Sequence, residues 1–356
     1  LLLGCLAAVY LAVQSAGMAV PPLTGGDPGV HPMVRAPVVS AASRDDPGAP
    51  IYATELGQVR LASAGGHAGS AGPLLCAPSV RGESGQHGLA LSADGSLLAF
   101  ASDADDLLPG DHNRSADIFL ADLETGTSVL ISASLYGGSG NGASHHPTLS
   151  ADGRVIAFVS AASDLVPGDD NQATDLFVHD LRQGLTTRIE IGAGTGLVSA
   201  GMGLHPSLSL ARDGNTLAYV SLAGDPDSHS ATADAAAPRE RVFVTDLTTG
   251  TTRMVSVDND GAPLPEACFD VSLSHDGRMV AFSTTLAPPY QDVVIHDLRL
   301  ERSEMLHMGT RARAPGDLTL PRLAGNGTSL ALVSTVNLDR PGAHEGADVL
   351  LVPLRP

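Results

Sequence analysis

Apolar and polar residues in this chain alternate in short bursts rather than in helical stripes, and the bursts recur. The fullest example runs from His146 to Ile191. A short apolar-polar stretch, PTLS, reaches a turn at Ala151-Asp152-Gly153, where glycine accepts positive φ without a Cβ clash. RVIAFVS follows, β-branched and apolar enough to be buried on both faces. A loop of about fifteen residues separates it from DLFVHDL, and a Gln183-Gly184 turn leads on to TTRIEI. The pattern predicts four antiparallel strands in one copy.

The aromatic residues show that the copy repeats. Phe119, Phe177 and Phe243 each stand three residues before an Asp-Leu pair, and Tyr52 stands likewise before Glu55-Leu56. Phe100, Phe158, Tyr219 and Phe282 form a second column, a few residues after Asp-Gly turns. The anchors Glu55, Asp122, Asp180, Asp246, Asp297 and Pro353 are spaced by 67, 58, 66, 51 and 56 residues. Six copies of four strands predict an all-β chain folded as a six-bladed β-propeller of four-stranded antiparallel blades, its aromatic columns packed between blades. Blades are expected at about 31–63, 87–133, 145–192, 205–257, 270–308 and 319–355. The first is degenerate, lacking Asp-Gly, and the last has room for three strands. With 40 Gly, 24 Pro and no sustained apolar stripe of helical period after residue 20, a helical fold does not fit.

Composition narrows the partners. The 39 acidic residues face 20 arginines and no lysine, for a net charge of −19, which repels phosphate backbones and leaves no polybasic patch for a membrane. Nucleic acid is therefore not an expected partner. Residues 1–13 are almost wholly apolar and small residues follow at Ser15, Gly17 and Ala19, so that 1–20 resembles the later part of a secretory signal peptide with cleavage near Ala16 to Ala19. Leu2-Leu3-Gly4-Cys5 also fits a lipoprotein box, and some 20 apolar residues suffice for an anchor. Export to the periplasm or medium is the expectation, with membrane contact only through this segment and a linker at 21–30. Cys76 and Cys268 are free to pair in such a compartment or to lie buried as thiols.

Two constellations carry candidate chemistry. Asp111, Asn113 and Asp117 share the spacing Asp-x-Asn-x-x-x-Asp with Asp169, Asn171 and Asp175, each beside a glycine. Three hard oxygen donors on a turn are candidate calcium ligands, although a calcium site takes six or more oxygens. The same side chains equally serve as caps bonded to their own backbone, the more frequent use. Histidines form the second group. His31, His87, His145, His146 and His205 each precede a predicted first strand, the innermost of a blade, so His31, His87, His146 and His205 are candidates for a channel mouth that binds a metal or moves protons. The competing reading is a repeat-derived residue before proline, and Asp270 and Leu320 hold the corresponding places in later copies. Gly-x-Ser-x-Gly, phosphate loops, dinucleotide fingerprints, paired CxxC and HExxH are absent.

LSADGRVIAFVSAASDLVPGDDNQATDLFVHDL closely resembles the WD-like repeat of bacterial TolB-type propellers, at Ser150, Asp152, Gly153, Phe158, Asp175, Phe177, Asp180 and Gly184. Ser92, Asp94, Gly95, Phe100, Asp117, Phe119, Asp122 and Gly126 match likewise, and 209–250 and 274–298 match in part. The resemblance implies an exported propeller that binds another macromolecule. It leaves activity open, because the same repeat occurs in scaffolds, beside serine peptidases and in polysaccharide lyases. The expected function is a non-catalytic scaffold that takes a protein or glycan on its long-loop face. The alternative is a metal-dependent lyase or hydrolase using the channel-mouth histidines.

Overall fold

The computed structural model describes residues 52–54, 57–59, 84–104, 107–108, 111, 113–190, 207–221, 239–287, 290–306, 318–334 and 348–354. All regular structure among them is antiparallel β. Four sheets have four strands in sequence order: β3–β6 (Ser84–Leu91, Leu97–Ser102, Asp117–Asp122, Thr127–Leu130), β7–β10 (Ser144–Leu149, Val155–Ser160, Asp175–Asp180, Leu185–Arg188), β11–β14 (Leu208–Leu210, Thr216–Ser221, Arg241–Asp246, Thr251–Met254) and β15–β18 (Cys268–Leu273, Met279–Ala287, Tyr290–Asp297, Arg302–Leu306). The last, β19–β21 (Leu318–Leu323, Ser329–Ser334, Asp348–Pro353), has three strands. Each is an up-and-down meander, as the repeat predicts.

β1 (Tyr52–Thr54) and β2 (Gly57–Val59) form a separate hairpin. Tyr52 pairs with Val59, seven residues on, whereas Phe119 pairs with Leu130, eleven residues on. The hairpin is therefore tighter than its counterparts in the later copies. The rest of the expected first copy lies outside the described residues, as do the leader, the linker and Cys76.

The aromatic columns explain how sheets stack. Phe100 lies opposite Phe119, Phe158 opposite Phe177 and Tyr219 opposite Phe243 in register, with ring centroids 5.7, 5.8 and 5.9 Å apart. Because side chains alternate along a strand, these rings occupy one face of each sheet, and small or β-branched residues occupy the other. The face bearing Phe158 and Phe177 packs on Ala99, Ala101, Ile118 and Leu120 of the preceding sheet. Tyr219 and Phe243 pack in the same way on Ala157, Val159 and Leu176, and Phe282 on Ala218, Val242 and Val244. In the last sheet Leu330 and Leu332 take the aromatic role against Ala281, Val293 and Ile295. Large-on-small packing thus repeats at each of the four seams between these five sheets.

First strands sit side by side: β3 touches β7, β7 touches β11, β11 touches β15 and β15 touches β19. Their turns are tied in series by backbone bonds. Ala93 N donates to Ala151 O (2.9 Å), Ala151 N to Arg212 O (3.1 Å), Arg212 N to His275 O (3.0 Å) and His275 N to Gly325 O (3.0 Å). The turn glycines keep positive φ, +69° at Gly153 and +70° at Gly214, and also let adjacent sheets approach. A Cβ on Gly214 would lie 2.9 Å from Val155 Cγ2 of the sheet before.

Candidate functional site

A meander places its first and third turns on one face and its long second loops, with the connections between sheets, on the other. The short-turn face is built to hold itself together. In the first turns Ser92 Oγ, Ser150 Oγ and Ser274 Oγ donate to Asp94, Asp152 and Asp276 (2.6, 2.7 and 2.5 Å), while accepting from Leu97 N, Val155 N and Met279 N, each at 2.9 Å. In the third turns the aspartate of each Asp-Leu pair caps two backbone amides: Asp122 accepts from Glu124 and Thr125, Asp180 from Arg182 and Gln183, Asp246 from Thr248 and Thr249, and Asp297 from Arg299 and Leu300. Donated hydrogen bonds favour the carboxylate. The bond from Ser92 and those from Ser96 lower Asp94 to about 2, and those from Thr125 and Glu124 lower Asp122. The serines and aspartates of these turns are thus spent on the turns themselves.

On the opposite face the two Asp-x-Asn loops are capped connections. Asn171 Oδ1 accepts from Ala173 N (2.9 Å), and its amide donates to Asp175 (2.9 Å). Arg188 on β10 reaches Asp169 at 2.7 Å and Asp175 at 3.8 Å. In the sister loop Asn113 Oδ1 accepts from Ser115 N (2.9 Å), its amide donates to Asp117 and to Gly140 O (both 2.8 Å), and Ser132 Oγ donates to Asp117 (2.6 Å). Register places Leu130 where Arg188 stands. Asp111 and Asp117 are both buried. Burial pushes the Asp117 carboxyl up to about 7, with Asp111 adding to the rise and Ser132 and Asn113 opposing it. Burial likewise raises Asp175, against the pull of Asn171 and Arg188. Among the described residues no three His, Cys, Asp or Glu side chains gather as a metal-holding group.

The histidine set is only partly visible. His31 and His205 lie outside the described residues, and for His87 the backbone alone is described. His87, His145 and His146 lie inside β3 and β7 rather than before them, because these strands begin at Ser84 and Ser144. Each of four first strands carries a bulge with one left-handed residue: Gly88 (φ 112°), His146 (55°), Asp270 (53°) and Leu320 (51°). The copies thus align His146 with Asp270 and Leu320, as expected, but with Gly88 instead of His87. Gly88 sits against the backbone of His146, 3.1 Å from where its Cβ would be.

Sequence patterns did not single out one projecting feature of the long-loop face. Between β6 and β7 the chain forms a tight excursion, pinned by an Ala133–Ser139 bridge. Ser134 N donates to Gly138 O (3.0 Å), Tyr136 N to Ser134 Oγ (3.1 Å) and Leu135 N to Asp164 O (2.8 Å). Asn141 ties its base to Ser163 and Asp164, and Asn113 ties it to the loop on the other side. At the tip Tyr136 is 88% exposed and Leu135 50%. The available signal was that Tyr136 belongs to neither aromatic column. A second unforeseen feature lies at the opposite face. Glu301 occupies the left-handed turn position (φ 50°) that Gly126, Gly184 and Gly250 fill elsewhere, and it pairs with Arg253 of the neighbouring sheet. Cys268 is a free thiol, pushed up to about 11 by burial.

No family model and no curated protein matches this chain. Solved structures do resemble it: TolB from Acinetobacter baumannii (17% identity, TM-score 0.43, 74% of this chain and 51% of that one) and TolB from Agrobacterium tumefaciens (12%, 0.44, 74% and 76%). A prolyl endopeptidase is also similar (14%, 0.45, 73% of this chain and 35% of that one). The chain spans about half the length of the first of these.

Proposed function

We propose that this chain is an exported, non-catalytic propeller scaffold that binds a protein or glycan through its long-loop face. The observation that carries the reading is the asymmetry of the two faces. On one, serine and aspartate side chains are consumed in capping four-residue turns; on the other, anchored excursions hold side chains out to solvent. Binding residues concentrate on such loops when a rigid scaffold positions them. Export follows from the apolar, small-residue leader at 1–20.

A photo-cross-linking amino acid placed at Tyr136, or at Glu124 on the short-turn face, tests the reading in cells that export the protein. Specific adducts are expected from position 136 and not from 124. Adducts from 124 alone would reject it. One observation keeps the lyase or hydrolase alternative in view: His146 is held at positive φ on an innermost strand, and left-handed non-glycine residues cluster at working sites. That alternative requires turnover of an acidic polysaccharide with added zinc or manganese, abolished in His146→Ala.

A further inference from the structure

The exposed tip at Leu135-Tyr136 has a definite electrostatic setting, and it deepens the scaffold reading, on which it rests. The tip segment 131–143 carries no charged residue. The two loops that brace it, 103–117 and 161–175, contain nine aspartates and one arginine, Arg114. Four of these, Asp111, Asp117, Asp169 and Asp175, are buried, and Asp169 is already matched by Arg188. Asp103 and Asp170 are exposed and Asp164 is half-buried. Asp164 holds the tip directly, its carbonyl accepting from Leu135 N and its carboxylate from Asn141 N (2.9 Å).

An isolated acidic loop would say little. Here the same place also presents an aromatic ring whose loop is fixed by at least six hydrogen bonds, so little ordering entropy remains to be lost on binding. An aromatic face and nearby carboxylates select the same group. A guanidinium or ammonium is attracted to the ring quadrupole and to the carboxylates, while an anion is repelled by both. Tyrosine and arginine are also the side chains that dominate contact energies at protein interfaces. We infer that the Leu135-Tyr136 tip is an anchor for an arginine- or lysine-bearing segment of a protein partner, steered by the flanking aspartates, and not for a glycan.

The test uses the exported chain and a fluorescent hexa-arginine peptide, with hexa-glutamate and neutral oligosaccharides as comparison probes, at physiological salt. Tyr136→Ala is expected to weaken hexa-arginine about three- to five-fold, and Tyr136→Phe to retain most of the affinity, because the ring face is kept. Asp164→Asn with Asp170→Asn is expected to weaken it similarly and to flatten its salt dependence. The control removes two charges elsewhere, at Glu124→Gln and Glu304→Gln, both exposed, and leaves the affinity within about two-fold of wild type. Equal binding by wild type and Tyr136→Ala, or an equal loss in the control, overturns the inference, because net charge alone would then carry the attraction. Tyr136-dependent binding of a neutral oligosaccharide overturns it too.

The two readings fail separately. Cross-links at position 136 to a partner without a cationic segment preserve the long-loop face and reject the cationic anchor. Tyr136-dependent hexa-arginine binding with cross-links only at position 124 does the reverse. Unchanged melting of each variant ensures that lost binding is not lost folding.

Discussion

Truncating one ring of a buried column gives the sharpest test of how the sheets hold together. Phe158 has no exposed surface; it stacks on Phe177 at 5.8 Å and faces Ala99, Ala101, Ile118 and Leu120 across the seam. Phe158→Ala removes a fully buried ring, about 2–3 kcal/mol of transfer free energy. It also leaves a void that the β-branched and small neighbours are too short to fill, and forfeits a stacked pair of about 1 kcal/mol. The sum lies within the roughly 3–5 kcal/mol usual for such truncations. For a chain of this length, with unfolding entropy of about 2 cal/mol/K per residue, that is a fall in Tm of about 5 °C. Phe158→Leu keeps most of the volume and should cost about 1–1.5 kcal/mol. Both are read by thermal and urea unfolding followed by far-UV circular dichroism, with Tyr136→Ala as an exposed-aromatic control expected to change stability by less than about 0.5 kcal/mol. If Phe158→Ala and Tyr136→Ala melt alike, large-on-small packing between sheets is not what stabilises this fold.

Gly214→Ala combines a left-handed backbone with a Cβ at 2.9 Å from Val155, and should cost about 2–4 kcal/mol; Gly95→Ala meets no atom within 4 Å and should cost only the backbone part, about 1 kcal/mol, in the same unfolding assay. Asp94 and Asp122 have folded pKa values below their unfolded ones, so their stabilisation is present above about pH 4 and is lost as pH falls through the folded values; Asp122→Asn should therefore make acid unfolding less steep. Asp117 has the opposite sign. Its folded pKa is raised to about 7, so its contribution is complete below about pH 4 and disappears as pH rises to about 7; Asp117→Asn should flatten that part of a Tm–pH profile, and a profile identical to wild type would refute the buried acid. Melts in millimolar calcium and in chelator should superimpose if the Asp-x-Asn loops are caps, whereas a calcium-induced rise lost in Asp169→Ala would establish a metal site.

Strands, turns and sheet order were legible because each copy states them locally. Asp-Gly fixes the first turn, Asp-Leu-x-x-Gly the third, and the aromatic columns name the face that meets the preceding sheet. The exact start of the first strands was not legible. The bulge at His146 and its counterparts adds a residue to one strand only, which shifts the alternation that a sequence reading depends on and carried His145 and His146 inside the sheet. The loops were harder still. Asp111 and Asp169 look alike in sequence, but the strand position from which Arg188 reaches Asp169 is held by Leu130 in the other copy, a difference that only strand register reveals. Tyr136 broke the pattern in plain view, but its exposure depends on two flanking loops that no periodicity links.

The backbone bonds that run from Ala93 through Ala151, Arg212 and His275 to Gly325 use no side chain. Such a fastening does not read its own letters, so alanine, arginine, histidine and glycine serve it alike, and successive copies can drift apart in sequence without coming undone. Drift is nevertheless coupled between neighbours. The imidazole of His275 occupies the space a Cβ on Gly325 would need, so enlarging residue 325 is tolerated only once residue 275 becomes small. Changes around the axis should therefore be inherited in adjacent pairs, one copy yielding the volume that the other takes up.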